Sequence, residues 1–190
     1  MNKIKILAFC GPAGSGKDTV VNRLCRMKNS HKIVRCTTRP PRDGEVQGVD
    51  YDFYNSVEEF AYDLLNKDTL IEGNVFNNWG YGTKFSALDK DKINIGAFDI
   101  SAISMMQCDS RLSVDVFYLE VDDKTRLLRQ LTREENPNVD EILRRFKTDK
   151  EDFVDIEDEI GPITRYSNVN SDDLNIIIQD IGQRYKNFLP

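Results

Sequence analysis

Short apolar runs alternate with amphipathic segments along most of this chain, and the alternation predicts a parallel α/β fold. The runs at 3–9, 93–99 and 113–121 predict strands, the last two of them buried on both faces. Apolar positions at helical spacing predict helices, over about 17–27, 56–65, 100–106, 123–133, 139–157 and 172–188. A short last strand is expected at 166–170. Strands that alternate with helices in this order form a parallel sheet.

The segment from about 33 to 88 breaks this pattern. A loop rich in Pro and Gly follows the strand candidate at 32–38, and a second candidate at 69–76 leads into a turn, so the segment is hairpin-like. Ser56 and Glu59 form a capping-box pattern, which predicts the start of a helix that continues to about Leu65. We expect this segment to be an insertion within a single domain. The 190 residues of the chain are enough to form one domain with a buried core.

Composition narrows the classes of function. A net charge of −6 argues against a general binder of nucleic acid or membrane surfaces, because either partner requires a basic face. Four cysteines without a CxxC pair, and a single histidine, argue against a zinc site and favour a reduced, cytoplasmic chain. The first apolar run is too short to span a membrane and lacks a cleavage site, so no targeting segment is expected.

A phosphate-binding pattern follows the first strand directly. Gly11, Gly16 and Lys17 form Gly-x4-Gly-Lys between an apolar strand and an amphipathic helix, the context that a P-loop requires. Backbone N–H groups of such a loop point inward, and the helix N-terminus adds positive potential that holds phosphate oxygens. The alternative is a plain glycine-rich turn into a helix. The expected ATP-binding residues of the loop are Gly11, Pro12, Ala13, Gly14, Ser15, Gly16, Lys17, Asp18 and Thr19.

Asp18 stands where the motif normally has a Ser or Thr whose hydroxyl binds Mg²⁺. A carboxylate here brings negative charge close to the phosphates, and Thr19 lies one residue later. The order Gly-Lys-X-Thr is similar to that of adenylate kinases, in which X is glycine, so the loop is expected to work without the hydroxyl. We expect Mg²⁺ to be held mainly through water molecules, with Asp18 as a water-mediated ligand.

Nearly the whole chain, from about residue 5 to 185, resembles guanylate kinases. The segment "TTRPPRDGEVQGVDYDF" resembles the family's T-T-R-x-P-R-x-G-E-x-x-G-x-D-Y-x-F, and the stretch from Glu72 to Tyr81 resembles its I-E…Y-G-[ST] with the same spacing. Three later segments follow in the family's order. "FDIS" resembles its D-I-D, "RQLTREENPNVDEILRRF" its lid, and "YSNVNSDDL" its V-x-N-D-D-L.

The resemblance implies an enzyme that transfers the γ-phosphoryl group of ATP to GMP or dGMP, with Mg²⁺ as cofactor. It implies a three-layer P-loop kinase fold whose parallel core occupies about 1–32, 89–125 and 148–190. A mixed α/β subdomain inserted at about 33–88 would bind the monophosphate, and a helical lid would cover 126–147. The expected partners are small nucleotides, and neither nucleic acid nor a membrane is expected. The expected oligomeric state is a monomer or a homodimer.

The same resemblance, together with side-chain chemistry, assigns the acceptor site. Arg39, Arg42 and Tyr51 offer guanidinium forks and a phenol hydroxyl to the acceptor phosphate, although a solvated basic loop is the alternative. Tyr81 and Thr83 would complete the phosphate grip and the base pocket.

Glu72 lies in an apolar strand, where a carboxylate needs a partner. The resemblance implies that it accepts hydrogen bonds from the N1–H and the 2-amino group of guanine. A structural salt bridge is the alternative.

The catalytic residues are expected on the loop, the acceptor segment and the lid. Lys17 would reach the β- and γ-phosphates, with Arg39 on the acceptor side. Arg129 and Arg133, four residues apart on one helix face, and Arg145 match the lid arginines of the family. Arg144 could replace Arg145 after a small register shift, and a solvated helix face is the alternative for the whole set.

Two further residues are assigned near ATP. Asp99 ends an apolar strand and is expected near Mg²⁺ through water, with a helix cap as the alternative. Asn170 matches the family's position near the ATP adenine.

The chain departs from the family at the base and in the lid. Arg35 stands where the family has a serine that donates to guanine O6, and Ser101 where it has the second aspartate of D-I-D. Arginine can donate to O6 and N7 of guanine, so Arg35 is compatible with that base. Glu134 and Glu135 replace the family's Gly-Thr. A broader nucleoside monophosphate kinase, a ribose bisphosphate kinase and a catalytically dead binding module therefore stay open, although the intact loop disfavours the last.

Overall fold

A computed structural model describes residues 3–42, 44–66, 68–76, 78–133 and 135–186. The strands are β1 (Ile4–Cys10), β2 (Ser30–Lys32), β3 (Cys36–Thr37), β4 (Asp52–Phe53), β5 (Leu70–Phe76), β6 (Trp79–Lys84), β7 (Ile93–Ala97), β8 (Leu112–Glu120) and β9 (Thr164–Ser167). The helices are α1 (Lys17–Leu24), α2 (Val57–Leu64), α3 (Ile100–Gln107), α4 (Asp123–Thr132), α5 (Val139–Asp152), α6 (Ile156–Ile160) and α7 (Ser171–Arg184). Within the described ranges, no helix combines the length and apolar character needed to cross a bilayer.

The larger sheet has the order β2-β7-β1-β8-β9, and all its neighbouring strands are parallel. Side chains of β1 alternate between two cores, as the two-residue period of a strand requires. Ile6 and Ala8 pack toward α3 and α6, whereas Leu7 and Phe9 pack toward α1 and α7. The predicted parallel sheet is confirmed, and the helices on its two faces make three layers.

The smaller sheet has the order β4-β3-β6-β5, in which β3 and β4 are parallel and the other pairs antiparallel. Its strands lie within 36–84, inside the segment that the sequence marks as an insertion. Phe60 of α2 is buried against this sheet beside Tyr54 and Leu70. A Cβ on Gly80 would lie 2.6 Å from the Phe60 ring, so the strand passes directly beneath that ring.

Two of the predicted elements are each divided in the structure. The strand expected at 32–38 is not continuous: Lys32 is the last residue of β2 in the larger sheet, and only Cys36 and Thr37 form β3, in the smaller sheet. The helix expected at 139–157 ends at Asp152, and α6 begins at Ile156. The break lets α6 bury its isoleucines in the core beside α3, while α5 stays partly exposed along its length. The last strand also begins earlier than expected, at Thr164.

The carboxyl ends of the central strands meet at one edge of the larger sheet. Phe9 of β1 pairs with Ala97 of β7, and Cys10 pairs with Tyr118 of β8. The chain reverses its winding direction around β1, and ligands of open α/β sheets bind in the crevice at such a point. The loop at 11–16 therefore begins where a ligand site is expected.

Replacing Phe60 with alanine is expected to lower the free energy of unfolding by about 3 kcal/mol, because it is the largest fully buried side chain in the core of the smaller sheet. Urea denaturation measures the loss. The matched control is Tyr62→Ala on the same helix, where the side chain is exposed and the change should stay within about 0.5 kcal/mol. Equal effects from the two variants would contradict the packing described above.

Candidate active site

The loop between β1 and α1 has the backbone conformation that its glycines permit. Gly14 has φ 81° and Gly16 has φ 88°, both in the left-handed region. A Cβ on Gly14 would lie 2.4 Å from the Arg126 carbonyl oxygen, and one on Gly16 would lie 2.5 Å from Asn168 Nδ2. Glycine is thus required at both positions for conformation and for space. Gly16 is also the N-cap residue of α1, so the helix N-terminus faces the loop.

The side chain of Lys17 bridges the loop by donating to carbonyl groups of the loop. Its Nζ donates to the carbonyl oxygens of Gly11 at 2.6 Å and Pro12 at 3.0 Å. Burial lowers the pKa of Lys17, and the nearby carboxylates of Asp18 and Asp149 partly oppose this effect. A bound phosphate would supply the full counter-charge that these carbonyl dipoles replace only in part.

A carboxylate from α5 contacts the same loop. Asp149 Oδ2 accepts from the backbone N–H of Ala13 at 2.8 Å and from Arg126 Nη1 at 3.0 Å. The Arg126 side chain is 3% exposed, and its guanidinium lies 4.0 Å from the centre of the Phe146 ring. This cluster joins α4 and α5 to the phosphate loop. Sequence reasoning missed both charged residues, because each lies on a helix that resembles an ordinary solvated one.

Arg129, one of the arginines expected in the lid, lies against the loop. Its guanidinium donates to the carbonyl oxygens of Gly14 at 3.1 Å, Asn168 at 3.0 Å and Val169 at 2.9 Å. The side chain therefore connects α4 to the phosphate loop and to the segment after β9. Arg133, one turn later, is the exposed C-cap residue of α4.

Asn168, rather than Asn170, is the asparagine in contact with the loop. Asn168 Nδ2 donates to the carbonyl oxygen of Ser15 at 2.7 Å, and its side chain is buried. Asn170 Oδ1 accepts from the backbone N–H groups of Asp172 and Asp173, in a capping box that begins α7. The segment "NVN" could have suggested either residue, since both are asparagines at the end of a strand.

The other two lid arginines share one carboxylate. Arg144 Nε and Arg145 Nε each donate to Glu141 at 2.7 Å, and these hydrogen bonds lower the pKa of Glu141 to about 2. Both side chains are more than two-fifths exposed. Arg144 also lies 5.5 Å from the centre of the Phe76 ring, so α5 reaches the hairpin of the smaller sheet. Glu134 of the lid lies outside the described residues, and Glu135 is exposed.

The residues expected to bind the acceptor phosphate lie in one group. Arg39 Nη2 donates to both carboxylate oxygens of Glu45, each at 2.9 Å, and its guanidinium lies 5.4 Å from the centre of the Tyr51 ring. Tyr51 in turn contacts Tyr81 edge-on, at 6.4 Å between ring centres. The Arg42 backbone N–H donates to Glu45, whose pKa is lowered mainly by its hydrogen bond to Arg39. Glu45 was missed as a site residue, although it lies within the recognised segment.

The residues expected to form the base pocket also contact one another, in a way that the family pattern did not indicate. Glu72 is buried, and both of its oxygens accept from Arg35, with Nη2 at 3.0 Å and 3.1 Å and Nε at 3.2 Å. Thr83 Oγ1 donates to the same carboxylate at 2.5 Å. The carboxylate expected to bind guanine is thus already paired within the protein.

Asp99 and Asp18 are carboxylates at the opening of the crevice. Asp99 Oδ1 accepts from the Ala102 N–H at 2.8 Å and caps α3, while Oδ2 lies 3.5 Å from Arg35 Nη1. Asp18 is exposed in the first turn of α1, and Ser101 is exposed in the first turn of α3. Among the described residues, no three His, Cys, Asp or Glu side chains are grouped so that they could hold a metal ion alone.

Replacing Asp149 with alanine is expected to lower the free energy of unfolding by about 2 kcal/mol, since it removes a partner of a buried guanidinium. The double variant Arg126→Leu/Asp149→Ala should recover most of this loss, because no unpaired charge is left. Urea denaturation measures both, with Glu151→Ala on the exposed face of α5 as the control. A double variant less stable than Asp149→Ala alone would contradict the role of the pair.

Comparisons with known proteins agree on one family. The family model for guanylate kinase matches residues 3–181. A guanylate kinase from Clostridium tetani is 33% identical over 155 residues, which are 78% of this chain and 72% of that protein. One from Clostridium perfringens is 31% identical over 159 residues, with the same two shares.

A solved structure gives independent support for the fold. The crystal structure of guanylate kinase from Anaplasma phagocytophilum matches with a TM-score of 0.69 at 21% identity, covering 98% of this chain and 87% of that one. The family model matches nearly the whole chain, and both relatives align with more than two thirds of the chain. These two findings establish the family. The chain belongs to the guanylate kinase family, as an enzyme with that family's P-loop kinase fold.

Proposed function

We propose that this protein transfers the γ-phosphoryl group of ATP to GMP or dGMP. The observation that carries the proposal is the pairing of two anion sites around one crevice. The phosphate loop with Lys17 lies at the end of β1, and the group of Arg39, Tyr51 and Tyr81 lies on the smaller sheet. The contact between Arg35 and Asp99 joins the base pocket to the edge of the core sheet.

The reaction follows from this arrangement without a side-chain nucleophile. An oxygen of the acceptor phosphate forms a bond to the γ-phosphorus, while the bond from that phosphorus to the bridging oxygen of ADP breaks. Both reactants are anions, so catalysis consists of positioning and charge neutralisation. Lys17 and Arg129 act from the donor side, Arg39 and Arg42 hold the acceptor phosphate, and Arg133 and Arg145 close over the transferred group.

The carboxylates suit Mg²⁺ that arrives with ATP. This ion usually keeps several water ligands and takes only one or two protein carboxylates besides phosphate oxygens. Asp18 and Asp99 are both exposed, so each can accept hydrogen bonds from metal-bound water. The ion would neutralise charge on the β- and γ-phosphates.

The remaining assignments concern the cell and the partners. The cysteines at 10, 25, 36 and 108 are free thiols, which suits the reducing conditions of the cytoplasm. With a net charge of −6, the chain offers no general basic face to nucleic acid or membranes. We propose a cytoplasmic enzyme whose partners are nucleotides.

Turnover with ATP and the eight common (deoxy)nucleoside monophosphates tests the proposal. GMP or dGMP should be the best acceptor, with kcat/KM for AMP lower by at least about a hundredfold, because AMP presents a donor where guanine has O6. Lys17→Ala should keep the fold, as judged by circular dichroism, and lower kcat by about a hundredfold or more. Equal rates with GMP, AMP and CMP would contradict the base pocket, and no transfer to any acceptor would contradict the enzyme.

Asp18→Ser tests how the metal is held. Because water molecules are proposed to lie between Asp18 and Mg²⁺, the variant should keep at least the original kcat across a titration of Mg²⁺. A large loss of activity that higher Mg²⁺ restores would show instead that the carboxylate binds the metal directly.

A further inference from the structure

The base pocket contains a buried ion pair that changes which groups face the base. Arg35 uses Nε and Nη2 to bind Glu72, and the Thr83 hydroxyl holds the same carboxylate. Glu72 is 1% exposed, so solvent does not compete for it. A guanine base could reach the Glu72 oxygens with its N1–H and 2-amino group only by displacing a bidentate guanidinium.

Displacement of Arg35 is disfavoured by the burial of the pair. Separating the two would leave the buried Glu72 carboxylate without its counter-charge, which costs more than an ordinary hydrogen bond returns. Neutral N–H donors of a base are also weaker partners for a carboxylate than a guanidinium is. The pair is therefore expected to persist when the acceptor binds.

The guanidinium still has donors to offer. An arginine carries five N–H groups, and the Nε–Nη2 side of Arg35 faces Glu72. In the described residues, Nη1 has one hydrogen bond, of 3.5 Å, to the half-exposed carboxylate of Asp99. The guanidinium carbon of Arg35 lies 5.4 Å from the centre of the Phe98 ring, over its face. The free donors thus lie on the side of Arg35 away from Glu72.

We propose, resting on the phosphoryl transfer proposed above, that Arg35 reads the acceptor base and that the site accepts 6-oxopurine nucleotides whether or not they carry a 2-amino group. O6 and N7 of a 6-oxopurine form the pair of acceptors that an arginine fork fits. Glu72 is then a positioning residue for Arg35. Adenine is still rejected, because its 6-amino group faces the guanidinium donors.

The unmodified enzyme tests this with GMP, IMP and 7-deaza-GMP. IMP lacks only the 2-amino group, so its kcat/KM should lie within about tenfold of the value for GMP. The 7-deaza analogue lacks the N7 acceptor and should be at least about tenfold poorer than GMP. An IMP value lower by a hundredfold or more, with 7-deaza-GMP equal to GMP, would overturn the proposal.

Variants separate the two pocket residues. Arg35→Ser frees Glu72 to accept from the 2-amino group, so the GMP/IMP ratio of kcat/KM should rise to about a hundred. Glu72→Gln should lower both values in proportion and leave the ratio unchanged, since both bases contact Arg35. The control is Arg184→Ser, which removes an arginine paired with Asp180 on α7 and should leave the ratio as it is.

The failures of the two proposals are distinguishable. If the enzyme phosphorylates no monophosphate, the phosphoryl-transfer proposal fails. If it phosphorylates GMP but Glu72→Gln narrows the GMP/IMP ratio and Arg35→Ser does not raise it, only the role of Arg35 fails. The comparison of the three acceptors needs no variant, so poor folding of a substituted protein does not prevent the test.

Discussion

The cost of a buried cation without a counter-charge organises the whole crevice. A site for two phosphorylated nucleotides needs several cations, and in the absence of nucleotides each must find an acceptor within the protein. Lys17 uses the carbonyl groups of its own loop, Arg39 uses Glu45, and Arg126 uses Asp149. These contacts hold the loop, the acceptor group and the lid helices in place before substrate arrives.

The ion pairs of α5 and the pair of Arg35 with Glu72 differ in burial. The pairs of Arg144 and Arg145 with Glu141 are exposed, so their net stabilisation is small and a phosphoryl group can replace the carboxylate at little cost. The pair of Arg35 with Glu72 is shielded and bidentate, and it acts as one unit. The carboxylate on α5 is thus open to solvent, whereas Glu72 is shielded from it.

Sequence predicted the elements that are governed by local rules. The strand, loop and helix at the start of the chain combine an apolar run, left-handed glycines and an amphipathic helix, and all three are found. The strand expected at 32–38 is interrupted because the chain passes there from the larger sheet to the smaller one, which no local pattern records. The helix at 139–157 divides because the isoleucines of α6 are buried under the larger sheet.

Apart from Asn168, the site residues that sequence missed are charged groups paired with other charged groups. Arg126, Asp149 and Glu45 resemble solvated surface residues until the fold shows their partners. Sequence showed that Arg35 departs from the family. Its pairing with Glu72 depends on the order of strands in the smaller sheet, where β6 lies between β3 and β5. A resemblance assigns positions one at a time, whereas the chemistry of a buried pair belongs to both residues.

The position of Arg35 also links base recognition to the two sheets. The residue lies in the short segment between β2 of the larger sheet and β3 of the smaller one. Its Nη2 lies 3.0 Å from Glu72, which belongs to the smaller sheet. Its Nη1 lies 3.5 Å from Asp99, at the edge of the larger sheet. A movement of the smaller sheet on the core would thus change the contact with Asp99 while the base-reading pair travels intact. Asp99 also caps α3, so its contact with Arg35 joins that helix to the smaller sheet.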